Sequence, residues 1–135
     1  MPDRMADEVS SALALLPYPM HPAHAVSYIA GAYGVARIRR NGFGRPGHGL
    51  LIKAGKNAAH EIIIGGRGTE RMEGITTVAH EVGHIIFGPS TDTAQVEHPE
   101  RDLIVYVKAE EIIAERFAKL LVKALWAKWI EHWRK

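Results

Sequence analysis

No stretch constrains this chain more than His80-Glu81-Val82-Gly83-His84. It sits inside an apolar helical period made by Ile75, Val78, Ala79, Val82, Ile85 and Ile86. One helix over 69–87 is therefore expected, capped by Thr69 and ended by Gly88-Pro89. Helical residues four apart have Cβ atoms roughly 5–6 Å apart, so both imidazoles can reach one tetrahedral zinc ion. Glu81 is turned to the flank of that stripe, where it can touch a water without being a ligand, the division of labour a hydrolytic zinc site needs. Two helix-surface histidines with no metal would carry the same five letters, so the rest of the chain must decide.

At 135 residues the chain suits a single domain over 1–135 with one core. Cysteine is absent, which removes disulfides, thiolate zinc sites and cysteine nucleophiles, and leans toward the cytoplasm. The first residues are acidic where a targeting sequence is basic, so no signal peptide is expected. Apolar runs fall far short of the ~20 residues that cross a bilayer. The net charge of +2 hides an asymmetry: nothing between Val9 and Ala59 is acidic, while Arg37, Arg39, Arg40, Arg45, Lys53 and Lys56 all lie there. That stretch could dock an acidic partner or a nucleic acid, or it could be a solvated basic hairpin. Among the basic residues, between Arg37 and Lys56, Phe43 is the only aromatic for base stacking, which favours the hairpin.

The expected architecture is α+β: N-terminal helices over 3–16 and 22–33, a small antiparallel three-stranded sheet over 35–65 packed against the zinc-site helix, a polar loop over 88–99, and a long C-terminal helical region over 100–133 with a break near Lys108. Met5, Val9, Ala12, Leu13 and Leu16 make the first helical stripe. Ala25, Val26, Ile29, Ala30 and Tyr33 make the second, with Pro22 to start it and Gly34 to cap it. His21 and His24 flank that start and read as exposed entry residues. Asn41-Gly42 is a turn signal, and Ala54-Gly55-Lys56-Asn57 is turn-rich. Gly42-Phe43-Gly44-Arg45-Pro46-Gly47 fits a nucleotide fingerprint, but a strand pattern follows it, so it reads as a glycine-rich turn. His48 and His60 read as sheet-edge residues. Near the C-terminus Trp126, Trp129, Ile130 and Trp133 form a stripe among Lys119, Lys123 and Lys128, read as core or dimer packing in preference to a membrane-surface helix.

A catalytic zinc takes three protein ligands and leaves one position open, so a third group must be found. Phe87 and Ser90 occupy the glycine and last-histidine positions of a metzincin, and a deformylase-like site needs a cysteine. What remains is a Glu on a later helix, as in thermolysin. Glu111 supplies it, and Glu115, one turn on, could accept the N–H of a ligating histidine. Glu110 is turned about 100° away. A pair of exposed glutamates with no metal role stays open at this point.

The run Gly49-Leu50-Leu51-Ile52-Lys53, then Glu61-Ile62-Ile63-Ile64, then Thr77 to Ile86, then Glu111-x-x-Ala114-x-x-Phe117-Ala118 resembles the ImmA/IrrE family of zinc metallopeptidases over roughly Val26 to Leu121. The resemblance implies an intracellular gluzincin-like enzyme that cuts a specific protein, typically a repressor or regulator, with His80, His84 and Glu111 holding Zn2+ and Glu81 as catalytic base. Members commonly have Asn or Asp where this chain has Glu115, Val122-Lys123 replaces a frequent Met-Pro, and no helix-turn-helix or sensor domain is expected within these residues. Tyr106, His98 and Arg71 are the weak candidates for an oxyanion donor. The rival expectation is a non-catalytic zinc-stabilised protein-binding module with a regulatory or toxin-antitoxin partner. Neither membrane nor nucleic acid is an expected partner.

Overall fold

The computed structural model describes residues 4–41, 49–53, 60–65, 72–88, 94–97, 102–105 and 108–134. Helices α1 (Arg4–Ala14) and α2 (Pro22–Ala32) lead into strands β1 (Val35–Asn41), β2 (Gly49–Lys53) and β3 (His60–Gly65). Helix α3 (Met72–Phe87), strands β4 (Ala94–Glu97) and β5 (Asp102–Val105), and the 27-residue helix α4 (Lys108–Arg134) complete the chain. No helix among the described residues is long and apolar enough to cross a membrane.

The helices form where the apolar period lies. In α1, Met5, Val9 and Ala12 are buried, and Leu13, with Leu16 just past the helix end, packs against the core. In α2, Pro22 stands in the first turn, where its missing N–H costs nothing. His21 is its N-cap, its Nδ1 accepting from the Ala23 N–H at 3.1 Å. The ring of His21 also meets Trp126 and Trp129 edge-on, with centroids 5.2 and 5.8 Å away. It is therefore a half-buried bridge between α2 and α4, where the sequence suggested an exposed entry residue. Gly34 takes φ +94°, the left-handed conformation that a helix C-terminus calls for, and Gly88 does the same after α3 at φ +68°.

The expected three-stranded antiparallel sheet is overturned. The described residues are mostly helical, and β1 and β3 form a parallel pair within a mixed sheet of order β1-β3-β2-β5-β4. Asn41-Gly42 pointed to a hairpin joining β1 to β2, but β3 lies between them. Crossing it spans two strand spacings, about 10 Å, more than a two-residue turn can bridge. The physical cause is β3 itself: Ile62 and Ile64 are fully buried on one face, and the strand is paired along both edges. A register shift between Val35 and Arg37 inserts an extra residue in β1. It resets the alternation so that Val35 and Ile38, three apart, can both turn to the core.

Two further expectations fail at the other end of the sheet. Strand β4 occupies part of the expected loop over 88–99, and β5 occupies residues expected to begin the C-terminal helix near 100. Each has four residues, and each is a strand because it has a partner: Ile52 pairs with Leu103 and Val96 pairs with Leu103 from the other side. The helix α4 starts at Lys108. The turns at 42–47 and 54–57, the Thr69 cap, Pro89, His48 and the oxyanion candidates Arg71, His98 and Tyr106 lie outside the described residues.

Arg39 is ion-paired and hydrogen-bonded to Glu61 on β3, so this part of the basic stretch is matched by a carboxylate. Arg37 is exposed. The core lies between the helices and one sheet face, with α3 packed chiefly on α4 and more lightly on α2, β2 and β3. Phe117, Leu121 and Leu125 of α4 are 0–2% exposed and face Ile75, Val78, Ala79 and Val82 in the same cluster. Burying a side chain such as Phe117 contributes about 2–3 kcal/mol toward holding α3 against α4.

Candidate metal centre

Three donors from two helices meet at one end of that pair. His84 Nε2 is hydrogen-bonded to Glu111 Oε1 at 2.5 Å, and His80 Nε2 lies 3.4 Å from Glu111 Oε2. The two imidazole centroids are 4.9 Å apart at 68°. One donor atom from each of the three residues lies within 4.8 Å of the others, and among the described residues this is the group that could hold a metal ion. Zinc bonds of ~2.0–2.1 Å in a tetrahedron put neighbouring donors about 3.3 Å apart. The His80–Glu111 separation already matches that, and the carboxylate offers a separate oxygen to each ring. The donor set fits a divalent cation of nitrogen and oxygen preference.

Burial grades across the site. His84 is buried at 3% exposure and Glu81 at 6%, whereas the His80 and Glu111 side chains are 23% and 48% exposed. One side is thus packed and the other open to solvent. Desolvation of His84, with His80 adding to it, outweighs the opposing pull of Glu111 and lowers its pKa to about 4. Its ring is neutral at physiological pH, as a metal ligand must be. Glu81 is pushed up to about 8, chiefly by burial and then by the negative charge of Glu111. A buried carboxyl held near neutrality can both take and return a proton.

Glu115 departs from the role expected of it. Its carboxylate faces solvent, with the side chain 56% exposed, and pairs with Lys119 at 3.1 Å one turn further along α4. A partner at i+4 on the same helix is closer to hand than an imidazole across the seam.

One residue that matters here was not singled out from sequence. A Cβ on Gly83 would lie 3.1 Å from Ala114 Cα, 3.2 Å from Ala114 O and 3.2 Å from Phe117 Cδ1. The absence of a side chain lets the backbone of α4 come close enough to bring Glu111 to the histidines. The signal was present: glycine in a helix interior is about 1 kcal/mol less favourable than alanine, so a glycine one residue before a ligand invites a packing reason.

The shifted groups give a pH signature in metal-free protein. Glu81 has a raised folded-state pKa, so the stability it allows is full below its ordinary 4.5 and declines as pH rises toward 8. His84 acts oppositely, its contribution being lost as pH falls from 6.5 toward 4. In EDTA, the parent is expected to lose about 3 kcal/mol relative to Glu81→Gln between pH 5 and pH 8, read by urea unfolding. Parallel stability curves for the two proteins would show that Glu81 is not held in a desolvated pocket.

No protein-family model, no curated protein and no solved structure matches this chain.

Proposed function

We propose that the protein is a zinc-dependent metalloendopeptidase that hydrolyses a peptide bond in a specific protein, a transcriptional repressor or regulator of the cytoplasm. The observation that carries the reading is the meeting of His80, His84 and Glu111 beside the buried carboxyl of Glu81. The order of motifs along the chain, which resembles that of ImmA/IrrE peptidases, supports the choice of substrate class.

His80, His84 and Glu111 would hold the ion, with the more exposed His80 and Glu111 toward the side from which substrate arrives. Zinc bound there supplies Lewis acidity, polarising a carbonyl oxygen and making water a better nucleophile at neutral pH. Glu81 accepts the proton that the attacking water gives up. It then delivers that proton to the amide nitrogen as the C–N bond breaks, so the departing group leaves as a neutral amine. Packing around His84 and Glu81 keeps bulk water from that proton, and the neutral ring of His84 offers its lone pair without first losing a charge.

Elemental analysis of purified protein is expected to find one zinc per chain. Incubated with a proteome-derived peptide library, the zinc-loaded parent is expected to generate new termini that mass spectrometry can sequence. Glu81→Gln, with zinc content unchanged, is expected to generate them at less than a thousandth of the parent rate, because proton transfer and water activation fail together. Equal cleavage by the two proteins would overturn the proposal. Zinc bound with no cleavage in any arm would favour the non-catalytic zinc-stabilised binding module.

A further inference from the structure

The seam between α3 and α4 continues past the metal centre to a second feature that hydrolysis does not use. A cavity of about 560 Å³ opens between Thr76 on α3 and Val122, Trp126, Ala127 and Ile130 on α4, with Lys119 and Lys123 lining it. Thr76 is one helical turn before His80, and Val122, eleven residues beyond Glu111, falls within about 20° of it around α4, so the cavity opens along the same seam as the metal centre. We propose that this cavity is the docking site for an acidic segment of the protein substrate, which inserts an apolar side chain between two flanking lysines. In calling the partner a substrate, this rests on the proposed peptidase activity.

Charge selects this occupant over others. The walls are mainly apolar while two cations line them: Lys119 is paired with Glu115 at the rim, and among the described residues Lys123 has no carboxylate partner, so the unmatched positive charge sits at Lys123. A twofold contact between copies would bring Lys119 and Lys123 against their own counterparts, a like-charge penalty at the centre of the interface. A bilayer surface asks for a larger basic cluster, of roughly four to eight residues, and a projecting apolar face, whereas this one is concave and has Glu115 beside Lys119. Ile130 is 48% exposed at the cavity, apolar surface that an inserted side chain would cover.

Position adds a metric consequence. Twelve residues of α4 separate Glu111 from Lys123, about 18 Å along the helix axis. An extended chain covers that in about six residues, so the acidic anchor should lie about six residues from the scissile bond.

The test uses a fluorescein-labelled dodecapeptide of Asp and Glu with a central Leu-Leu pair, titrated with the full-length protein at low salt and followed by anisotropy. Saturable binding is expected, weakened at least tenfold by Lys119→Glu with Lys123→Glu, by Ala127→Trp, which fills the cavity, and by Ser-Ser in place of Leu-Leu in the peptide. Both lysines and Ala127 are exposed, so these changes leave the fold intact, as circular dichroism can confirm. Less than a twofold change with the lysine double variant or with the Ser-Ser peptide would overturn the proposal. So would binding to phosphatidylglycerol vesicles without binding to the peptide, or a dimer in sedimentation that Ile130→Glu dissolves. Binding is read without hydrolysis. Failure of the peptidase reading would show as absent zinc or absent cleavage with peptide binding intact, and failure of the docking site as the reverse.

Discussion

Zinc affinity is expected to fall by about two to three orders of magnitude in Glu111→Ala, measured by competition with a chromogenic chelator. A protein-bound zinc typically carries ~10–16 kcal/mol of apparent binding free energy, so each of three or four ligands supplies about 3–4 kcal/mol. Glu111 is the donor shared between both imidazoles, at 2.5 Å from His84 and 3.4 Å from His80. It is also the one contributed by α4, and nearly half exposed, so its removal leaves the buried core untouched. Thermal stability without zinc is therefore expected to change little. The same change removes a negative charge near Glu81, whose pKa should fall while burial still holds it above the ordinary value. An unchanged zinc affinity would mean that the ion, if bound, is held by another set of residues.

The second large effect is expected at Gly83, where stability and metal affinity should separate. In Gly83→Ala the new methyl meets Ala114 and Phe117 at 3.1–3.2 Å, so α4 must withdraw by a few tenths of an ångström. The gain in helix propensity, about 1 kcal/mol, roughly offsets that crowding. Stability should stay within about 1 kcal/mol of the parent, yet zinc affinity should drop about tenfold because Glu111 moves with α4. Gly83→Val adds two branches where a single methyl is already tight, and is expected to cost about 2–4 kcal/mol in urea unfolding and to leave no measurable zinc site. Ala114→Gly should restore affinity to Gly83→Ala by returning the missing space. A Gly83→Ala protein that binds zinc as tightly as the parent would show that the helix separation does not set the donor geometry.

What was legible from sequence follows the range of the forces involved. The helical stripes were readable because each is a local pattern: Met5, Val9 and Ala12, or Ile75, Val78, Ala79 and Val82, repeat at the spacing of the turns that bury them. The i, i+4 histidines were readable for the same reason, and Glu111 because a downstream helical Glu was what the ligand options left. The sheet was not legible. Whether 35–41 pairs with 49–53 or with 60–65 is decided between strands far apart in sequence, and the Asn41-Gly42 signal speaks only for four residues around it. The short β4 and β5 carry little pattern of their own and are strands through their partners. His21 and Glu115 show the same limit in side chains: one was recruited by Trp126 and Trp129 from the far end of the chain, the other was drawn to Lys119.

The position of β2 has a consequence for how the chain matures. Its two hydrogen-bonding edges are satisfied at different times: β3 follows it closely, but β5 is supplied only after the whole of α3 has been made. Until then the outer edge of β2 at Ile52-Lys53 is an open template for stray pairing, in a protein that has yet to bring Glu111 beside His80 and His84. The late β4–β5 ribbon shields it and leaves a rim of four residues, too brief to recruit a neighbour easily. Completion of this side of the sheet and arrival of the helix that carries Glu111 thus come from adjacent segments, so the open edge of β2 is covered and the candidate metal centre is assembled at nearly the same moment.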